Sequence, residues 1–201
     1  MDNFVLVFPE DAEQLDFAGL PEGIQKALGE GIVQNPARHV VYRFCLLAKS
    51  LPEMNARQRE RRRRSYQRAD RVVINLMTST SQVQLLGIYP PAETLKMGSS
   101  GEGEVSAGFT TPLFSINLHG LLKDLARRSG QRILAGRTDR EAQWVFLKPY
   151  LEEHTDFCLT FLLQVPAELP PEARFVWCEA AVMDRGRLIQ KHRRHKIPLR
   201  E

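Results

Sequence analysis

The chain has 201 residues and a formal net charge of +4, with 43% hydrophobic and 26% charged residues. That length and mix exclude a disordered tract and suit one sizeable domain, with or without an appendage. No run approaches the roughly 18 apolar residues of a membrane-spanning helix. Asp2 stands where a signal peptide wants a cation, so the expected compartment is the cytoplasm and no membrane contact is expected.

"NFVLVF" at the start is β-branched and aromatic, is stopped by Pro9, and predicts a short buried strand. "PEGIQKALGEG" predicts a short helix, with Pro21 in its first turn and Gly29 and Gly31 at its end. "NPARHVVYRFCLLAKS" carries Asn35 and Pro36, a helix-start pair, and puts Val40, Val41, Phe44, Leu47 and Ala48 on one helical face. A helix is the preferred reading. "HVVYRFCLL" is also rich in β-formers and reads as a buried strand.

Residues 56–71, "ARQRERRRRSYQRADR", set eight arginines against Glu60 and Asp70. No apolar residue lies between Arg57 and Tyr66, so the segment cannot be a core element. It reads as a solvent-exposed arm or as a strap for something acidic. From Val72 on, the chain breaks into short β-prone runs. "FSINLH" and Phe157-Leu159-Phe161-Leu163-Val165 alternate with the period of a half-buried strand. "GSSGEGE" (98–104) reads as a flexible loop, and "GLLKDLARRSG" as one inserted helix. The expected fold class is α+β, mostly β. It has an N-terminal strand and helices over 1–55, a basic arm over 56–71, and an antiparallel sandwich or barrel over 72–201. Trp144, Phe146, Phe161, Phe175 and Trp177 are expected to form or line its core. Cys45, Cys158 and Cys178 follow no C-x-x-C spacing and sit among apolar residues, so they are expected to be buried, reduced thiols.

No motif names a reaction. The chain has no G-x-S-x-G; Ser99 lies in a glycine-rich loop, the wrong place for a held nucleophile. No nucleotide-binding glycine motif occurs. Glu152–Asp156, "EEHTD", is the densest titratable cluster and reads as a solvated turn. His192 and His195 are three apart and would face opposite sides of a strand, among cations that repel a metal ion. His39 and His119 stand alone. The protein is therefore expected to be no enzyme, with no cofactor and no bound metal.

"RRRRSYQRADRVVINL" resembles the opening of PilZ domains, which bind cyclic di-GMP. Arg64 and Arg68 match the Arg-x-x-x-Arg pair of that family. "SINLHG", Ser115–Gly120, is the nearest match to its second motif, with Ser115 and Asn117 where the family has Asp or Asn and then Ser. The resemblance implies a cyclic dinucleotide receptor, but it covers about sixteen residues well.

The remaining chemistry is charge. Residues 185–196, "RGRLIQKHRRHK", add six cations with no acid, so the rest of the chain is acidic. Arginine forks match phosphate, and an interleaved tyrosine stacks on bases. The expected function is binding of nucleic acid, RNA or single strand more than duplex. The expected contacts are Arg57, Arg59, Arg61, Arg62, Arg63, Arg64, Tyr66, Arg68, Arg71, Lys191, Arg193, Arg194 and Lys196. One alternative is an assembly or adaptor protein whose arm docks an acidic protein surface. The other is the PilZ-like receptor.

Overall fold

The computed structural model describes residues 4–29, 39–50, 69–91, 93–94, 131–185 and 187–200. They are mostly β and form two antiparallel sheets. The first contains β1 (Phe4–Val7), β2 (Glu13–Leu15), β3 (His39–Ser50), β5 (Gln84–Tyr89) and β9 (Asp156–Gln164), in the order β1-β3-β9-β5, with β2 also paired to β3. The second runs β11 (Arg187–Pro198), β10 (Phe175–Asp184), β4 (Arg71–Thr78), β8 (Glu141–Leu147), β7 (Gln131–Arg137) and β6 (Glu93–Thr94). Strands of the first 55 residues thus share a sheet with strands from much later in the chain.

The alternation in β9 acts as the sequence predicts. Phe157, Leu159, Phe161 and Leu163 are fully buried and meet Tyr42, Phe44 and Leu46 of β3. The second sheet contributes Val72, Ile74, Leu76, Trp144, Phe146, Val176, Cys178, Ala180 and Val182 to the same core. The Trp144 indole N–H donates to the Pro90 carbonyl at 3.1 Å, so its one polar atom is satisfied.

Among the described residues of 1–55, the expected N-terminal helices reduce to one short helix, α1 (Glu22–Leu28). Residues His39–Ser50 are strand β3, not helix. The Asn-Pro start signal loses to pairing, since β3 lies against β9 along His39–Leu47 and buries Tyr42, Phe44 and Leu46 on one face and Val41 on the other. Helix α1 covers the outer face of this sheet, with Leu28 against Val41 and Leu162. Gly87 permits the approach. A Cβ there would lie 2.0 Å from the Leu28 carbonyl oxygen. The segments 95–130 and 51–68, with the expected inserted helix, the "FSINLH" strand and the arm as far as Arg68, lie outside the described residues.

The thiol expectation is corrected for two of the three cysteines. Cys45 and Cys158 are directly opposed on β3 and β9 and form a disulfide. Reading residues 39–50 as a helix removed Cys45 from the sheet and so hid its partner, 113 residues away. A loop of that length constrains the unfolded chain by up to about 5 kcal/mol. Cys178 remains a free thiol, fully buried, and burial pushes its pKa far up. Titrated in denaturant without reductant, the protein should show one thiol, and three after reduction. Three thiols in both conditions would contradict the Cys45–Cys158 pair.

Candidate nucleic-acid interface

Strand β10 reads "FVWCEAAVMD", and its alternation is strict. Val176, Cys178, Ala180 and Val182 are buried, while Phe175, Trp177, Glu179 and Ala181 lie on the other face, partly exposed. Phe175 and Trp177 are therefore not core residues, which corrects the expectation for both. They belong to the outer face of the six-stranded sheet. Glu179 was the available signal, because a carboxylate in phase with two aromatics marks their face as the wet one.

The outer face is organised in rows across the strands. Trp177 is opposite Lys196 on one side and Met77 on the other, and Met77 is opposite Glu141. Glu179 is opposite Asn75, and Asn75 is opposite Gln143. The Gln143 amide donates to Asn75 Oδ1 at 2.8 Å. Between these rows runs a groove of about 270 Å³, with Trp177, Met77, Asn75, Glu141, Glu179 and Arg194 among its walls.

Strand β11 supplies the cations. The Arg194 guanidinium lies 5.5 Å from the Trp177 ring centre, and Lys196 Nζ lies 4.2 Å from that of Phe175. The two rings meet edge-on at 5.1 Å. Arg194 also reaches the Glu179 carboxylate, at 3.4 Å. Both contacts are cation–π in kind, and they hold the long side chains over the sheet rather than off its edge. Lys191, opposite Ala181, is exposed on the same face.

A β-bulge makes this possible. The register with β10 slips between Cys178 and Ala180, which oppose His195 and His192. Arg193 lies within the bulge. The slip also brings both histidines to one ring: His192 and His195 lie 5.5 and 5.1 Å from Phe8. The sequence-based expectation that they face opposite sides is corrected, since strict alternation holds only without a bulge. Burial lowers the His192 pKa. Among the described residues no group of three or more His, Cys, Asp or Glu is placed to hold a metal ion.

The arm joins this region at its root. Asp70 Oδ1 and Oδ2 accept both branches of the Arg71 fork at 2.9 Å, and the Arg185 N–H donates to Oδ2 at 3.0 Å. The Asp70 N–H in turn donates to the Met183 carbonyl at 2.9 Å. Asp70 thereby caps the β10–β11 turn, where Arg185 adopts a left-handed φ of 47°. The arginine-rich segment rejoins the described chain beside the first residue of the second basic segment. Arg71 itself is 8% exposed, with its fork given to Asp70. Arg57, Arg59, Arg61, Arg62, Arg63, Arg64, Tyr66 and Arg68 lie outside the described residues, as do Ser115, Asn117 and Gly120 of the PilZ-like match.

The "EEHTD" cluster ends α2 (Lys148–Glu153) and is locally paired. Glu152 meets Lys148 at 3.6 Å, Glu153 bonds Arg132, and the His154 ring stacks 4.3 Å from Tyr150. Compared with known proteins, the chain matches no protein-family model and no curated sequence.

The Asp70 knot carries a pH prediction. Burial pushes the Asp70 carboxyl up, but the Arg71 hydrogen bonds and charge, with the Arg185 N–H, outweigh burial and hold its pKa below the ordinary value. Such a group stabilises the fold above its unfolded pKa, and the contribution is lost as pH falls through the folded one. The parent should lose stability below about pH 4. Asp70→Asn should be less stable at pH 7 and should lose less on going to pH 3, as read by urea denaturation. Equal losses in both proteins would show that the knot contributes nothing.

Proposed function

We propose that this protein binds single-stranded nucleic acid on the outer face of the six-stranded sheet, with RNA the expected form. The two sheets are read as the layers of a sandwich, with the aromatic pair on the outside of one layer. The observation that carries the reading is the coincidence of two kinds of group on one surface: partly exposed Phe175 and Trp177, and the cations of β11 that lie over them. Phosphates attract the cations, and unpaired bases stack on aromatic and guanidinium planes. A duplex hides its bases from such a face, so a single strand is the better fit. Asp70, where the segment 56–71 returns to the sheet, lies beside the β10–β11 turn, at the other end of β10 from Phe175 and Trp177, and the eight arginines of that segment are the second support for a polyanionic partner. Arg71 is left out of the contact set because its fork serves Asp70. No sequence-reading motif is present, so phosphate contact provides the general affinity.

Charge and stacking separate experimentally. With a labelled oligouridine, log affinity should fall linearly with log salt, by about 0.7 per neutralised phosphate. The double change Arg194→Ala, Lys196→Ala should reduce that slope by about 1.4 if each cation meets one phosphate. Alanine at Arg61, Arg62, Arg63 and Arg64 should flatten it further. Trp177→Ala should weaken binding by about 1–3 kcal/mol and leave the slope unchanged. Fluorescence anisotropy between 50 and 200 mM salt reads both quantities. Absence of oligonucleotide binding at 150 mM salt would refute the proposal and turn attention to an acidic protein partner.

A further inference from the structure

The groove beside Trp177 is lined by acceptors, although it lies next to a basic edge. Phosphate has no use for carboxylates, so the groove is suited to something other than the backbone of a strand. Glu179 is occupied by Arg194. Glu141 forms no ion pair and accepts no side-chain hydrogen bond among the described residues, and its side chain stands in the groove wall. Two strand spacings, about 9.5 Å, separate the backbones of Trp177 and Glu141, with Met77 between them as a floor. That is room for one planar ring system between the indole and the carboxylate. Beside Glu141, the Asn75 amide has its oxygen taken by Gln143, so its NH₂ group is left to donate.

Apart from the Arg194 guanidinium, which lies over the indole, the groove offers a neutral donor, from Asn75, next to the paired acceptors of the Glu141 carboxylate. We infer that it is a base pocket selective for guanine, an inference that rests on the strand-binding reading above. Among the four RNA bases, only guanine presents one acceptor followed by two adjacent donors on its pairing edge: O6, N1–H and the N2 amino group. The N1–H and amino group donate to the two oxygens of Glu141, and O6 accepts from the Asn75 amide. Uracil would set a carbonyl oxygen against the Glu141 carboxylate. Cytosine and adenine each place a ring-nitrogen acceptor where N1–H should be. Trp177 supplies the stacking face, and Arg194 extends it.

The test compares an eight-nucleotide oligouridine with the same strand carrying one central guanosine, and calorimetry adds free guanosine and uridine monophosphates. The parent should bind the guanosine strand roughly five- to a hundred-fold more tightly, as a bidentate base contact implies. Glu141→Gln keeps the shape of the side chain but replaces one acceptor with a donor. It should erase the preference while leaving oligouridine affinity and the melting temperature as they are in the parent. Equal affinity of the parent for both strands would overturn the guanine pocket and leave strand binding standing. So would a preference that survives Glu141→Gln. If neither strand binds but guanosine monophosphate does, and Glu141→Gln abolishes it, the pocket stands as a site for the free nucleotide and the strand reading falls. Binding of none of the four ligands would overturn both.

Discussion

The one-sided burial of β10 is the constraint on which the rest of the surface depends. One face of this strand, Val176 to Val182, is sealed into the core shared by both sheets. The period of two then leaves Phe175, Trp177 and Glu179 no choice of side. Because β10 is the one strand paired with β11 among the described residues, it also sets where the basic strand sits. A slip of one residue would bury Glu179 and expose Cys178, at a cost no single surface contact could offset. The geometry of cations over rings is thus inherited from the core, not assembled by the surface itself.

Strand β11 has two demands on it. As a long strand at a sheet edge it is exposed to pairing with other chains, and a row of Lys and Arg with a bulge is the usual guard against that. Guarding alone would be served by side chains that extend into solvent. Here Arg194 and Lys196 fold back over Trp177 and Phe175, and Arg194 is also held by Glu179. At the other end of β11, Asp70 ties the root of the arginine segment to the same hairpin. Arg71 through its fork and Arg185 through its backbone N–H, more than a hundred residues apart in sequence, thereby meet at one carboxylate.

The parts that could be read from the sequence follow from simple periodicity. β9 is legible because Phe157, Leu159, Phe161 and Leu163 alternate, although Leu162 adds an apolar residue on the other face under α1, and Trp144, Phe146 and Phe161 lie in the core as their runs imply. Other parts were hidden by competing signals. Asn35-Pro36 argued for a helix over a stretch whose fate was decided by a partner strand far away in sequence. That misreading also concealed the Cys45–Cys158 pair. Phe175 and Trp177 were assigned to the core because large aromatics usually belong there, although Glu179 in the same phase argued otherwise. The convergence of His192 and His195 on Phe8 rests on a bulge, a one-residue insertion that no periodicity reveals. The groove itself comes from four strands brought side by side, so no local pattern could announce it.

We propose that a nucleic-acid strand lies on the outer face of the six-stranded sheet. Photocrosslinking tests it without any mutation. An oligonucleotide carrying 4-thiouridine is irradiated with the parent protein, and the attached peptides are mapped by mass spectrometry. The account predicts adducts on the peptide that contains Phe175 and Trp177, with competition by unlabelled strand. Adducts confined to peptides of the five-stranded sheet, or none that compete, would contradict it.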